Sequence, residues 1–459
     1  MKIRQRLNLY VPLAASLCLL LFVQRAHAQE IRQLKAGASV INVTPFLGEV
    51  LIGGFGSPVA KYIHDELYAR SLVLDDGETQ IAIVIVDNLH FVRGVSDAAR
   101  LLVEQHTGIK KENVLIAATH THSSVSAIAI GSDPASFDSS AELDEYQRFL
   151  ARRIADGVRR AAYNKVSAKI GWGSVQKPEH VFNRRWFMKP NADLKNPFGG
   201  KDKVKMNPGI GNPDLDRPAG PTDPEVFFLS VQSLDGHPIS LLANYSLHYV
   251  GGVPGDHVSA DYFGVFSSHL QELIGEDRKA SGFVAMLSNG TSGNINNIDF
   301  RRPAPKMSSY QKMQIVAKDV AETVFEAYRN IPYQTYVKLG ATYTELPLQV
   351  RQSTPEMLTR AKKVVSDPNT KLLHPLEPAY ANRMIWIDEK WPKKVDAVMQ
   401  AFQIGDLAVV GIPFETFVET GLEIKAKSPY QSTFTISLAN GWYGYLPTPE
   451  HHELGGYET

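Results

Sequence analysis

The chain has 459 residues, and its 48 basic and 48 acidic side chains cancel, which argues against a basic stripe for nucleic acid or a charged disordered tail. Its single cysteine, Cys18, lies near the N-terminus, so the remainder has no disulfide, thiol nucleophile or cysteine-type metal site. With 44% hydrophobic residues, a chain of this length can build an ordinary core, and any metal must be held by His, Asp, Glu or Tyr.

The first residues read as a secretory signal. Lys2, Arg4 and Arg6 give the positive region, Val11–Val23 the apolar stretch, and Ala26-His27-Ala28 a small-x-small cleavage site. The expectation is a signal peptide over 1–28, a mature chain from about Gln29, and a secreted or periplasmic location. An uncleaved anchor is the alternative, although the apolar stretch is short for a membrane span.

Lys35–Val43 alternates and reads as a strand. Leu51–Gly56, LIGGFG, lacks the spacing of a dinucleotide fingerprint and reads as a loop whose backbone passes close to something, or as plain turn chemistry. Glu66–Leu74 and Gln80–Val86 are strands joined at Asp75-Asp76-Gly77, and the second, apolar throughout, reads as buried on both faces. Val92–Gln105 has the pattern of an amphipathic helix.

Val114–Ala118 is an apolar strand running into Thr119-His120-Thr121-His122-Ser123. On an extended chain, residues i and i+2 share a face, so His120 and His122 would point into one space. Two neighbouring imidazoles suit zinc; a pair of ordinary strand-end histidines is the alternative. Ala141–Ala162 reads as a helix and Ala168–Val175 as a strand.

Residues 182–223 are rich in Pro, Gly, Asn and Lys and too long for a simple connection, so they read as an insert. It opens Asn183-Arg184-Arg185-Trp186, where an arginine could clamp an oxyanion or a carboxylate; a solvated surface arginine is the alternative.

Glu225–Gln232 and Pro238–Tyr245 form a hairpin whose second strand ends near His248. Asp256, His257 and Asp261 lead into a helix, Tyr262–Ile274. Ser281–Leu287 runs into the polar turn Ser288–Asn297, whose N–H groups could form an oxyanion nest. Helices are expected at Ser308–Tyr328, Pro355–Val365 and Ala379–Glu389, with a long strand at Tyr336–Leu348. Ala397–Ile404 and Leu407–Gly411 are a strand pair. Ile412-Pro413-Phe414-Glu415 follows, with Glu415 expected in the first turn of a helix, where acids commonly complement the dipole. Thr433–Leu438 is the last strand, before an aromatic tail.

Four sequence-distant strand ends thus carry His120 and His122, His248, the Asn289–Asn297 turn and Glu415. This ordered set resembles the neutral ceramidase family, secreted zinc amidohydrolases of N-acylsphingosines, from about Gly37 to Tyr457. The resemblance implies a layered α/β fold of packed, mainly antiparallel or mixed sheets flanked by helices. It implies one Zn2+ per chain, with His120, His248, Glu415 and Tyr445 as ligands and His122 as a catalytic or substrate-binding histidine. Tyr457 would contact the scissile amide and Arg184 the active-site wall. Asn296 stands where the family carries a serine proposed as nucleophile or oxyanion helper; an asparagine cannot be acylated that way but can donate a hydrogen bond.

The expected organisation is a signal peptide followed by one catalytic domain, 29–459, with the insert at about 182–223 and without the family's C-terminal immunoglobulin-like domain. The expected partners are a small lipid or acyl-amide substrate and, peripherally, a membrane surface, but no nucleic acid; the oligomeric state is left open. The expected reaction is amide hydrolysis by metal-activated water. Alternatives are another acyl amide, an ester or a carbohydrate-linked substrate on the same fold, and a secreted binding protein without turnover.

Overall fold

The structure is a computed structural model that describes residues 32–53, 56, 58–125, 127, 142–274 and 282–459. The signal segment, its cleavage site at Ala28/Gln29, Gly54 and Phe55 of the glycine-rich loop, Ala141 and Ser281 lie outside the described residues.

Eight strands make the main sheet: β1 (Lys35–Asn42), β2 (Tyr68–Asp75), β3 (Gln80–Val86), β4 (Val114–Ala118), β5 (Val166–Gln176), β6 (Glu225–Ser233), β7 (Pro238–Tyr245) and β8 (Val284–Asn289), in the spatial order β8-β7-β6-β5-β1-β2-β3-β4. The pairings are antiparallel except at the two edges, where β3 runs parallel to β4 and β7 to β8. A second sheet, β9 (Leu339–Gln349), β10 (Lys394–Ile404), β11 (Leu407–Ile412) and β12 (Ser432–Ser437), is antiparallel until its last pair, β11 with β12.

Strand alternation explains the layers. Along β3, Ala82, Val84 and Val86 face one core, while Ile81, Ile83 and Ile85 face another. The first face packs helices α1 (Arg93–Thr107) and α2 (Glu145–Tyr163). The second meets Phe402, Val409 and Phe434 of the second sheet. The β6–β8 half sends Val226, Phe228, Leu241 and Ala285 against α3 (Asp261–Ile274) and α4 (Gln311–Tyr328). The run IAIVIV is therefore buried on both faces, as its lack of polar residues demands. Among the described helices, none is long and apolar enough to cross a membrane.

Helices α5 (Pro355–Ser366) and α6 (Glu377–Lys390) pair through a small core of Ala361, Val364 and Ala381. Two more helices close the chain, α7 (Val418–Lys427) and α8 (Pro449–Leu454). The insert is not a structureless connection. Residues 185–188, 204–206 and 215–218 form a three-stranded sheet, and Phe182–Asn183 pairs with Ile295–Asn296. Its strands are only two to four residues long, too short to carry an apolar periodicity.

Glu415 does not sit in a helical first turn. Glu415–Thr416 is a two-residue strand parallel to Tyr445–Leu446, and α7 begins only at Val418. Pro413 ends β11, but the chain first crosses to the aromatic tail before it coils.

A candidate metal centre at the strand ends

The parallel pairs at the sheet edges carry their C-terminal ends in common, where open α/β sheets collect functional groups. β4 leads to His120 and His122, β7 to His248, β8 to the Asn289–Asn297 turn, and β11 to Glu415.

His120 and His122 do converge, with ring centroids 4.7 Å apart, but not by strand alternation. β4 has already ended, and His120 adopts a left-handed backbone (φ 72°), rare for a residue with a Cβ. The strand ends and turns, and the turn brings the rings together. Thr121 turns its hydroxyl to the Ser259 carbonyl.

Each imidazole is held from behind by a backbone carbonyl. His120 Nδ1 donates to Leu89 O (2.8 Å), His248 Nδ1 to Ser292 O (3.0 Å) and His122 Nδ1 to Gly53 O. A carbonyl can only accept, so the Nδ1 atoms carry the protons and the Nε2 lone pairs face forward. Gly53 belongs to the glycine-rich loop, and a Cβ there would fall 2.5 Å from His122 O, so the loop does pass its backbone against the site.

The forward atoms meet. His120 Nε2 lies 3.1 Å from His248 Nε2 and 3.2 Å from His122 Nε2, and all three nitrogens lie within 4.8 Å of one another. Glu415 Oε2 is 3.3 Å from His120 Nε2 and 3.8 Å from His248 Nε2, is buried, and has no hydrogen-bond partner. Lone pairs converging this closely repel unless a cation stands between them. A tetrahedral zinc with bonds of about 2.0–2.1 Å separates its ligand atoms by about 3.3 Å, so the donor set fits such an ion.

Electrostatics agree. Burial pushes the His122 and His248 pKa values well below the ordinary imidazole range and keeps both rings neutral, as ligands or bases must be. Burial, the largest single influence, would raise the Glu415 pKa, but His120, His248 and Tyr445 together outweigh it and hold the carboxyl well below the usual range.

Tyr445 faces Glu415 across the short parallel pairing. Arg184 is no solvated surface group. Its guanidinium carbon lies 5.4 Å over the Tyr445 ring, and Nη2 donates to Gly293 O (2.7 Å). Its Nε donates to Glu458 Oε1 (2.9 Å), while the neighbouring Arg185 Nη1 donates to Glu458 Oε2 (2.7 Å). The carboxylate that the twin arginines clamp is thus the chain's own. Tyr457, next to it, is 41% exposed, with its ring 5.9 Å from that of Tyr445.

Asn296 is 8% exposed; its Nδ2 donates to Asn207 Oδ1 (2.8 Å), and its Oδ1 accepts from Ile298 N. Within the turn, the Gly290, Gly293 and Ile295 N–H groups donate to the Tyr245, Thr416 and Ser292 carbonyls. Ser292 sits on the Nδ1 side of His248, its hydroxyl on Asn289 Oδ1 (2.8 Å), turned from the Nε2 cluster.

Three residues at the site escaped the sequence reading. Tyr249 stacks on His122 at 3.8 Å, Trp442 donates to Glu415, and Glu458 anchors the tail. Only Glu458 had a signal, since adjacent buried arginines require a carboxylate.

The fold and the cluster together define a layered α/β protein with a histidine-rich centre able to hold a metal ion. The profile of the neutral/alkaline non-lysosomal ceramidase N-terminal family matches residues 34–300. The chain belongs to that family, whose members are ceramide amide hydrolases. Among solved structures it is similar to neutral ceramidase from Pseudomonas aeruginosa, with a TM-score of 0.68 at 18% identity over 94% of this chain and 71% of that one. It is equally similar to a ceramidase complexed with C2, with a TM-score of 0.68 at 17% identity over 93% and 71%. At these identities the likeness carries the fold.

Proposed function

We propose that this chain is a secreted, zinc-dependent amidohydrolase that cleaves an N-acyl amide of the N-acylsphingosine type. The observation that carries the reading is the meeting of three Nε2 lone pairs with the partnerless Glu415 Oε2. The family assignment supports the amide bond, and the relative solved with C2 supports a lipid acyl amide.

His120, His248 and Glu415 hold the metal, with Tyr445 beside Glu415 as a fourth, weaker donor. Zinc bound there supplies Lewis-acid polarisation of the scissile carbonyl and activation of water. His122, neutral and fixed between Gly53 O and the Tyr249 ring, carries the proton to the leaving amine. It also stands within ligand reach, so its role is decided by whether His122→Ala keeps zinc. On the proton-carrier reading, zinc stays and turnover falls roughly 10²–10⁴-fold. Asn296 has a second N–H beyond the one given to Asn207, and offers it to the developing oxyanion. Arg184 and Tyr457 form the wall along which the amide lies.

A second reading keeps the metal and changes the substrate to another acyl amide or an ester. It is favoured by the hydrogen bond that ties Asn296 to Asn207 of the insert, which couples the oxyanion side of the pocket to a segment of its own shape. Metal content and turnover of the purified protein on a panel of N-acylsphingosines, other N-acyl amides and esters separate the two. Bound zinc with no hydrolysis of any of them would favour a binding protein instead. Export is part of the proposal: N-terminal sequencing of the exported protein should begin at or near Gln29, and an intact Met1 in a membrane fraction would oppose it.

A further inference from the structure

Glu415 has two carboxylate oxygens, and only one faces the histidines. The other, Oε1, accepts the Trp442 indole N–H at 3.0 Å. Indole is a donor only, so it occupies Oε1 without competing for lone pairs at the centre. The carboxylate cannot turn about its Cγ–Cδ bond without breaking this bond, and Oε2 is left aimed at His120 and His248.

The indole is itself held. One face stacks on the buried His90 ring, with centroids 4.1 Å apart at 16°. The backbone before it is bent and pinned. Leu438 and Asn440 both take left-handed φ values, 58° and 68°, which cost a residue with a Cβ of order 1–3 kcal/mol and persist only where the surroundings over-determine them. Here those surroundings are β4. Ala118 N donates to Leu438 O (3.3 Å), Asn440 N to Ile116 O (2.7 Å), and Ile116 N to Asn440 Oδ1 (3.1 Å). The strand that delivers His120 therefore also sets the segment that delivers Trp442, so one element positions a histidine directly and the carboxylate through the indole.

We propose that Trp442 is a positioning residue that presents the Glu415 carboxylate to the metal through its indole N–H. The inference rests on the zinc reading above. Partners that hydrogen-bond a ligand typically matter about 10–100-fold in metal affinity.

The test measures zinc transfer from the loaded protein to a competing chelator, with cobalt substitution as a spectroscopic readout of coordination. Trp442→Phe keeps a ring against His90 and removes the N–H. Zinc affinity should fall roughly 10–100-fold, and the cobalt bands should shift while the metal-free melting temperature holds. Trp442→His, whose ring can return an N–H, should recover part of the loss and serves as the second variant if the first folds poorly. In a Glu415→Gln background the tryptophan change should cost less than about threefold, because the residue acts through that carboxylate. Wild-type affinity in Trp442→Phe, or an equal loss in the Glu415→Gln background, overturns the inference while leaving the zinc reading intact. A wild-type protein that takes up no zinc overturns both.

Discussion

Two polar clusters lie side by side at the strand ends, and they are built in opposite ways. In the histidine cluster every ring is satisfied from behind, by Leu89, Gly53 and Ser292 carbonyls, while its forward atoms face only one another. In the arginine clamp the polar groups face protein. Both Glu458 oxygens are paired, Arg184 also reaches Gly293 O, and Arg185 Nη2 reaches His451 O and Gly455 O. Both clusters are buried, so burial does not separate site from scaffold. What separates them is the direction of the unmet hydrogen-bonding capacity. Converging lone pairs ask for a cation, whereas the clamp is an ion-pair network in which only the Arg185 Nε donor is left without an acceptor.

The clusters touch, because Gly293 accepts from Arg184 while its backbone lies against Glu415; a Cβ at Gly293 would fall 2.4 Å from Glu415 O. The clamp therefore fixes the Tyr457 tail against one wall of the metal site. If the division is right, the two clusters fail differently.

The largest effect should come from the open cluster. His120→Ala should lose bound zinc and all measurable turnover while keeping a cooperative melt, read by metal analysis and calorimetry. If zinc stays bound, the division between the clusters is wrong. Glu458→Ala should act on the fold. It strands two buried guanidinium groups and should destabilise by about 3–5 kcal/mol in denaturant titration, with zinc retained. Loss of zinc with unchanged stability would make Glu458 part of the centre instead.

Asn296→Ala sharpens the border between them. As an oxyanion donor it should lower kcat roughly 10²–10³-fold with little change in KM, and an effect on stability alone would move it to the scaffold. The smallest effect should be that of Ser292→Ala. Its hydroxyl lies on the Nδ1 side of His248, and the bond that orients the ring comes from its backbone carbonyl, so most activity should remain. An acyl ester trapped on Ser292 would contradict the water route.

Much of this was legible from the chain. Strands β3, β4 and β7 announce themselves because runs such as IAIVIV and VLIAA fit only a buried sheet, and the histidines mark their ends. The convergence of His120 and His122 was legible, its cause was not: alternation suggested it, but a left-handed turn produces it. An acid just past a strand end reads as the start of a helix, and nothing local shows that Glu415–Thr416 first pairs with Tyr445–Leu446, some thirty residues on. The insert's strands were invisible for want of apolar periodicity. The helix α8 carried a readable start, Thr448 capping His451 N with Pro449 behind it, but its six residues show no apolar repeat. Trp442 and Tyr249 act through tertiary contacts alone, which no spacing encodes.

The proposed chemistry depends on one zinc ion shared by His120 Nε2, His248 Nε2 and Glu415 Oε2. Anomalous diffraction at the zinc edge, from crystals of the protein purified without chelators, tests it most directly. A single strong peak per chain is expected, about 2.0–2.2 Å from His120 Nε2, His248 Nε2 and a Glu415 oxygen. A zinc-edge map with no peak there, beside fully active protein, would contradict it.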